Sequence, residues 1–223
     1  MSIPPTGDRP PEDLTARARI RDAALEQFAA RGVKAATLKD IADAAGVSVG
    51  LVQHHFGSKD RLREACDQHV RDTVLGAAGQ VQEGAEVNAD FLRGMYEASE
   101  LSVRYLARAL VDGSPVAAEL FDEGSAGAER FFTDTWPDTF TPGEAKVRER
   151  AAVMAAMHLG TIVLHEHLSR RLGIDVLRRP NSGLLGAAML DVYARMGQWI
   201  ATQQGDRVRQ AVTDIHDEEH PDA

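Results

Sequence analysis

The chain is predicted to be all-α, with an N-terminal three-helix head arranged as a helix-turn-helix and a larger helical body behind it. Two observations predict this. Alanine is abundant, and the pairs such as Asn-Gly that punctuate strand hairpins are absent. Residues 37–62, TLKDIADAAGVSVGLVQHHFGSKDRL, spell two short helices around a tight turn and the start of a third.

The elements follow in order. The first fourteen residues, MSIPPTGDRPPEDL, are polar and proline-rich and are expected to be a disordered arm with no secretion signal. Its one arginine, Arg9, argues against a minor-groove role. Ile20, Ala24 and Phe28 lie four apart and form the inner stripe of a first helix ending at Gly32. Thr37 suits the N-cap of the second helix, whose apolar face is Leu38, Ile41, Ala42 and Ala45. Gly46 follows where a positive φ ends the helix and turns the chain, and Val47 plugs the corner. Ser48 caps a third helix over residues 49–55, with Val52 and Phe56 facing inward. Val49, Gly50, Leu51, Gln53, His54 and His55 are assigned to its outer face. Ser58 caps the next helix, with Asp60 in its first turn.

That helix is expected over residues 60–80, loosened near Gly76 and Gly79, with a break over 84–88. A helix over 90–111 carries Phe91, Met95, Leu101, Tyr105 and Leu106 inward. Asp112-Gly-Ser-Pro is a stop and restart, with Ser114 capping and Pro115 at the first helical position; the new helix ends before Trp136-Pro137. A single helix is expected over 144–171, stopped by Gly173, and a last one over 184–204, with a charged, frayed tail over 217–223.

The run over residues 17–62 closely resembles the DNA-binding domain of the tetracycline-repressor (TetR) family of bacterial transcriptional regulators. It agrees with the family pattern at Ile41, Ala42, Gly46, Val47, Ser48, His55, Phe56, Ser58 and Lys59. It departs where the family has threonine and this chain has Leu51, where the family has a phosphate-touching tyrosine and this chain has Gln53, and at His54, an often aromatic position. Operator preference therefore cannot be borrowed from a relative. The resemblance implies residues 15–62 as the DNA-binding domain and residues 63–223 as a helical domain for effector binding and dimerisation. It further implies a homodimer on a palindromic double-stranded DNA operator, most simply a repressor released by a small-molecule effector. The last two long helices would pair with their counterparts. Apolar residues wrap most of AAVMAAMHLGTIVLHEHL, and small residues interleave with Leu, Met and Trp199 in LLGAAMLDVYARMGQWIATQ.

The formal net charge of −9 is unevenly distributed. Residues 1–70 hold ten Lys/Arg and ten Asp/Glu, so the remaining fifteen basic and twenty-four acidic groups carry the whole excess. A neutral head neutralises few phosphates, which implies modest non-specific affinity and a need for two heads together. Composition is that of an ordinary soluble protein, 43% hydrophobic and 26% charged. The single cysteine, Cys66, excludes an internal disulfide framework, and a cytoplasmic location is expected. The apolar, uncharged run 151–164 is too short to span a bilayer, so no membrane partner is expected.

The expected DNA contacts are Thr37, Lys39, Val49, Gly50, Leu51, Gln53, His54, His55 and Lys59, with Lys39 and Lys59 gripping phosphates and Gln53 and His54 facing bases. An apolar or aromatic effector is expected among Tyr96, Tyr105, Phe121, Phe131, Trp136, Met154, Met157 and His158. His165-Glu166-His167 lacks the i,i+4 histidine spacing of zinc proteases, since Ser169 stands at i+4 of His165. No nucleophile elbow, phosphate loop or dinucleotide motif occurs; no catalytic residue, cofactor or metal is expected.

Overall fold

A computed structural model describes residues 11–82 and 89–219. Its described backbone falls into two compact units that divide after Arg179. Among the described residues every regular element is helical.

In the first unit, α1 (Pro11–Ala35), α2 (Leu38–Ala45), α3 (Val49–Phe56) and α4 (Lys59–Gln82) build the head and its exit; α5 (Ala89–Asp112), α6 (Pro115–Thr135), α7 (Ala145–Val163) and α8 (His165–Leu172) build the body. Residues 11–14, placed in a disordered arm by the sequence, are helical here; residues 1–10 and the break expected over 84–88 lie outside the described residues. Ile20, Ala24, Leu25 and Phe28 of α1 are buried against Ile41, Val52 and Leu62. Each large apolar side chain in that cluster contributes roughly 1.5–3 kcal/mol relative to exposure. The same cluster continues through Cys66 and Val70 of α4 to Tyr105, Leu106, Val116 and Leu120 of the body, so head and body share one core.

Local chemistry sets the turns. Gly46, at φ 65° and ψ 40°, occupies the left-handed region, and its N–H and that of Val47 reach back to α2 carbonyls. Gly32, at φ 75° and ψ 159°, breaks α1 near its end, where the sequence placed a full stop; one more turn follows to Ala35.

Two long helices expected from the sequence are divided. α7 ends at Leu164 (φ −90°, ψ 14°), so the single helix expected over 144–171 becomes α7 and α8. Arg104 of α5 pairs with Asp175 at 2.6 Å, and the Ser169 hydroxyl accepts from Val176 N, tying down the loop after α8. In the second unit, α9 (Ser182–Ile200) stops short of 204, and α10 (Gln203–Glu219), a helix the sequence did not predict, follows and takes in residues 217–219 of the expected frayed tail. The Thr202 hydroxyl accepts from Gly205 N at 3.2 Å and so starts α10.

Candidate nucleic-acid interface

The head displays α3 by fixing both of its ends and the helix before it. Thr37 and Asp40 form a reciprocal cap: the Thr37 hydroxyl accepts from Asp40 N at 3.1 Å, while the Asp40 carboxylate accepts from Thr37 N at 3.0 Å. The Thr37 hydroxyl also donates to that carboxylate at 2.7 Å, and these bonds hold the Asp40 carboxyl below the usual carboxylate range. The Ser48 hydroxyl accepts from Leu51 N at 3.2 Å and starts α3.

Two arginines missed from the sequence brace this arrangement from α1. The Arg19 guanidinium donates to Ala45 O at 2.9 Å, at the end of α2. Arg17 donates to His55 O at 3.4 Å and lies 4.5 Å over the Phe56 ring. Their partners are 26 and 38 residues away, so no local pattern announces them.

The expected contact residues fall into three groups. Gly50, Gln53 and His54 stand exposed on α3, with Val49 and Leu51 half-buried beside them, and α3 carries no acidic residue. Thr37 and Lys39 are exposed at the start of α2; Lys39 leans on Asp43 at 2.7 Å, which raises its pKa through that bond. So exposed a pair is worth little, and a phosphate can replace it.

His55 and Lys59 form the third group, and protein atoms engage both. His55 is only 9% exposed and packs edge-on to His54 and against Phe56, because at the end of an eight-residue helix its direction swings towards α1. The Lys59 ammonium donates to Val33 O at 2.9 Å, Ala36 O at 3.1 Å and Lys34 O at 3.4 Å. An ammonium has three N–H donors, and these three carbonyls at the end of α1 lie within their reach.

The expected effector residues are only partly gathered. Phe131, Met154 and His158 line a groove of about 430 Å3 between α4, α6 and α7, alongside Leu75, Leu120 and Leu159. Trp136 stands outside it, edge-on to Phe131 with ring centres 5.5 Å apart. Met157 is on the exposed side of α7, and Phe121 does not line the groove. Tyr105 is core: its hydroxyl donates to Asp67 and its ring lies against Phe28. The Tyr96 side chain lies outside the described residues. The Cys66 thiol is buried, and burial, then the nearby Asp67 charge, pushes its pKa up. Among the described residues no three His, Cys, Asp or Glu converge as a metal site, and no helix is long and apolar enough to cross a membrane.

Residues 20–66 match the family described as bacterial regulatory proteins, tetR family. The match is confined to the head. The chain is 38% identical over 124 residues to the HTH-type transcriptional regulatory protein RaaS of Mycobacterium tuberculosis, covering 55% of this chain and 58% of that protein. It is 35% identical over 92 residues to the HTH-type transcriptional repressor KstR2 of Mycolicibacterium smegmatis, covering 41% and 45%. The chain thus spans about half the length of the curated relatives it matches. Beyond the head the likeness is one of fold: a crystal structure of a gamma-butyrolactone receptor (ArpA like protein) is 23% identical and superposes with a TM-score of 0.54, over 70% of this chain and 82% of that one.

Proposed function

We propose that the protein is a sequence-specific DNA-binding transcriptional regulator, a cytoplasmic homodimeric repressor released from a palindromic operator by a small apolar or aromatic effector. The observation that carries the DNA role is the solvent face of α3, Gly50, Gln53 and His54, free of acidic groups and held by caps at both of the short helices. A helix so presented fits the major groove, where Gln53 can pair with adenine through two hydrogen bonds and Leu51 can meet a thymine methyl. Thr37 and Lys39 touch the backbone beside it, and His55 and Lys59 hold the shape of the head. The names of the relatives, a regulator and a repressor, support the same reading.

Dimerisation is supported by apolar side chains left exposed on long helices. They are Val153 and Met157 on α7, and Leu190 (71% exposed), Val192, Met196 and Trp199 on α9. Effector release needs a ligand that prefers the dimer whose heads are wrongly spaced, since equal affinity for both states releases nothing. The groove of Phe131, Met154 and His158 is its proposed seat.

Selection of bound sites from random duplexes, followed by gel shift at moderate ionic strength, tests the reading. A two-fold site with half-site centres about 10 base pairs apart is expected. Well-folded protein that enriches no such site overturns it. An apolar screen in which no compound stabilises the protein or displaces DNA removes the effector.

A further inference from the structure

A second cavity, of about 470 Å3, lies where the end of α1 meets α4, α5 and the start of α6, apart from the groove in the body. Its size falls within the range of small-molecule sites. Arg31, Lys34, Arg63 and Arg108 line it against a single lining carboxylate, Asp112. Two of these cations are already matched: Arg108 gives its Nε to Asp112 at 3.0 Å, and Arg63 pairs with Asp67 at 3.0 Å. Arg31 stands 3.6 Å from Asp40, an exposed and loose pair, and among the described residues Lys34 has no ion-pair partner through its side chain. Each guanidinium keeps further N–H donors beyond those pairs. The lining therefore carries an excess of positive charge in a partly enclosed space, where fields are screened less than at an open surface.

The cavity also holds an unanswered polar atom. The Ser114 hydroxyl is buried and has no hydrogen-bond partner among the described residues, although Ser114 precedes the first turn of α6, where a capping bond is expected. A buried hydroxyl without a partner costs free energy until something fills the role. Val33 and Ala35 supply an apolar wall, above the buried Phe28 and Tyr105. Cationic rim and apolar wall together define a ligand with an anionic end and an apolar body.

We infer that this junction binds a small organic anion, a carboxylate or phosphate monoester carrying an apolar group. The Arg108, Lys34 and Arg31 donors take the anion, and the apolar part rests on Val33 and Ala35. Because the cavity is walled by α1 of the head and by α5 and α6 of the body, occupancy ties the two together. The site is argued without the DNA role, and binding is read without DNA.

Isothermal titration of the full chain with phenyl phosphate tests it, with inorganic phosphate and benzyl alcohol as anion-only and apolar-only controls. Saturable binding about tenfold or more tighter than to either control is expected, since the anion and the ring each add favourable contacts. Arg108→Gln and Lys34→Gln should each weaken phenyl phosphate several-fold, and the pair of changes about tenfold or more. Lys34 is exposed, so its replacement leaves folding intact even if Arg108→Gln does not. Absence of saturation, equal affinity for benzyl alcohol, or unchanged affinity in Lys34→Gln overturns the inference. So does loss of binding in His158→Ala with Arg108→Gln unaffected, which moves the ligand to the groove between α4, α6 and α7.

Discussion

Lys59→Met keeps the aliphatic stem of the side chain and removes the ammonium that closes α1. Three carbonyls at 2.9, 3.1 and 3.4 Å lose their charged donor. Hydrogen bonds to a charged group are worth about 1.5–3 kcal/mol, and a cation at a helix C-terminus adds about 0.3–1 kcal/mol. Water can replace part of this, because Lys59 is only half-buried. The net loss is then about 1.5–3 kcal/mol for the three together, not for each. At about 2–4 °C per kcal/mol for a chain of this size, the melting temperature falls by roughly 3–12 °C. Thermal unfolding followed by circular dichroism measures that drop, and a gel-shift series from low to high salt measures the second half of the claim. A phosphate contact contributes about 0.9 to the salt slope; with the ammonium turned inward, the slope of Lys59→Met stays at the wild-type value. A melting temperature unchanged within 1 °C together with a slope lower by about 0.9 per head would refute the reasoning and return Lys59 to the DNA.

Gly32→Ala should cost about 1–3 kcal/mol, because φ 75° with ψ 159° is a region that only glycine occupies readily. The added Cβ also stands 2.9 Å from Arg108 Nη2, which must move. Gly46→Ala, in the left-handed region with nothing within 4 Å of its Cβ, should cost only about 1 kcal/mol; a reversed order in denaturant titrations contradicts both geometries. Gln53→Ala should lose about 1–3 kcal/mol of discrimination at one base pair. An unaltered binding-site profile at full affinity removes that contact. For Asp67, burial foremost raises the carboxyl pKa above its ordinary 3.8, against the Tyr105 hydrogen bond and the Arg63 charge. A raised folded pKa means the contribution is fully present below the unfolded value and is lost as pH rises through the folded one. Melting temperatures of wild type minus Asp67→Asn should therefore fall as pH climbs from about 4 upward; a difference that grows with pH shows the opposite shift.

Helix ends set by neighbours in sequence were legible. Thr37 with Asp40, Ser48 with Leu51 N, Gly46 and Pro115 act within three or four residues, and the structure places them where the sequence does. The division at Leu164 was not legible, since neither glycine nor proline marks it and no side chain caps α8. Nor was the corner before α10, where one threonine hydroxyl supplies the cap. At the candidate interface, Gln53 and His54 could be placed outward from period alone, but His55 could not. In an eight-residue helix one position decides between groove and core, and Arg17, 38 residues upstream, takes its carbonyl. The carbonyl partners of Lys59 were not legible for the same reason: they lie 23 to 26 residues before it. Of the residues expected to gather in the body, Tyr105 went to the core because α1 and Asp67 both claim it, a tertiary fact with no local signature.

Arg17, Arg19 and Lys59 are three of the head's basic groups, and each is bound to protein carbonyls or a ring. Cations engaged in this way keep their charge but have fewer N–H donors left for a phosphate. Under the proposed DNA role, close phosphate contacts on arbitrary duplex are then few, and encounters with it are expected to be brief. Discrimination between addresses then rests on a handful of neutral side chains, and a single base change in a target should matter more than the length of DNA around it.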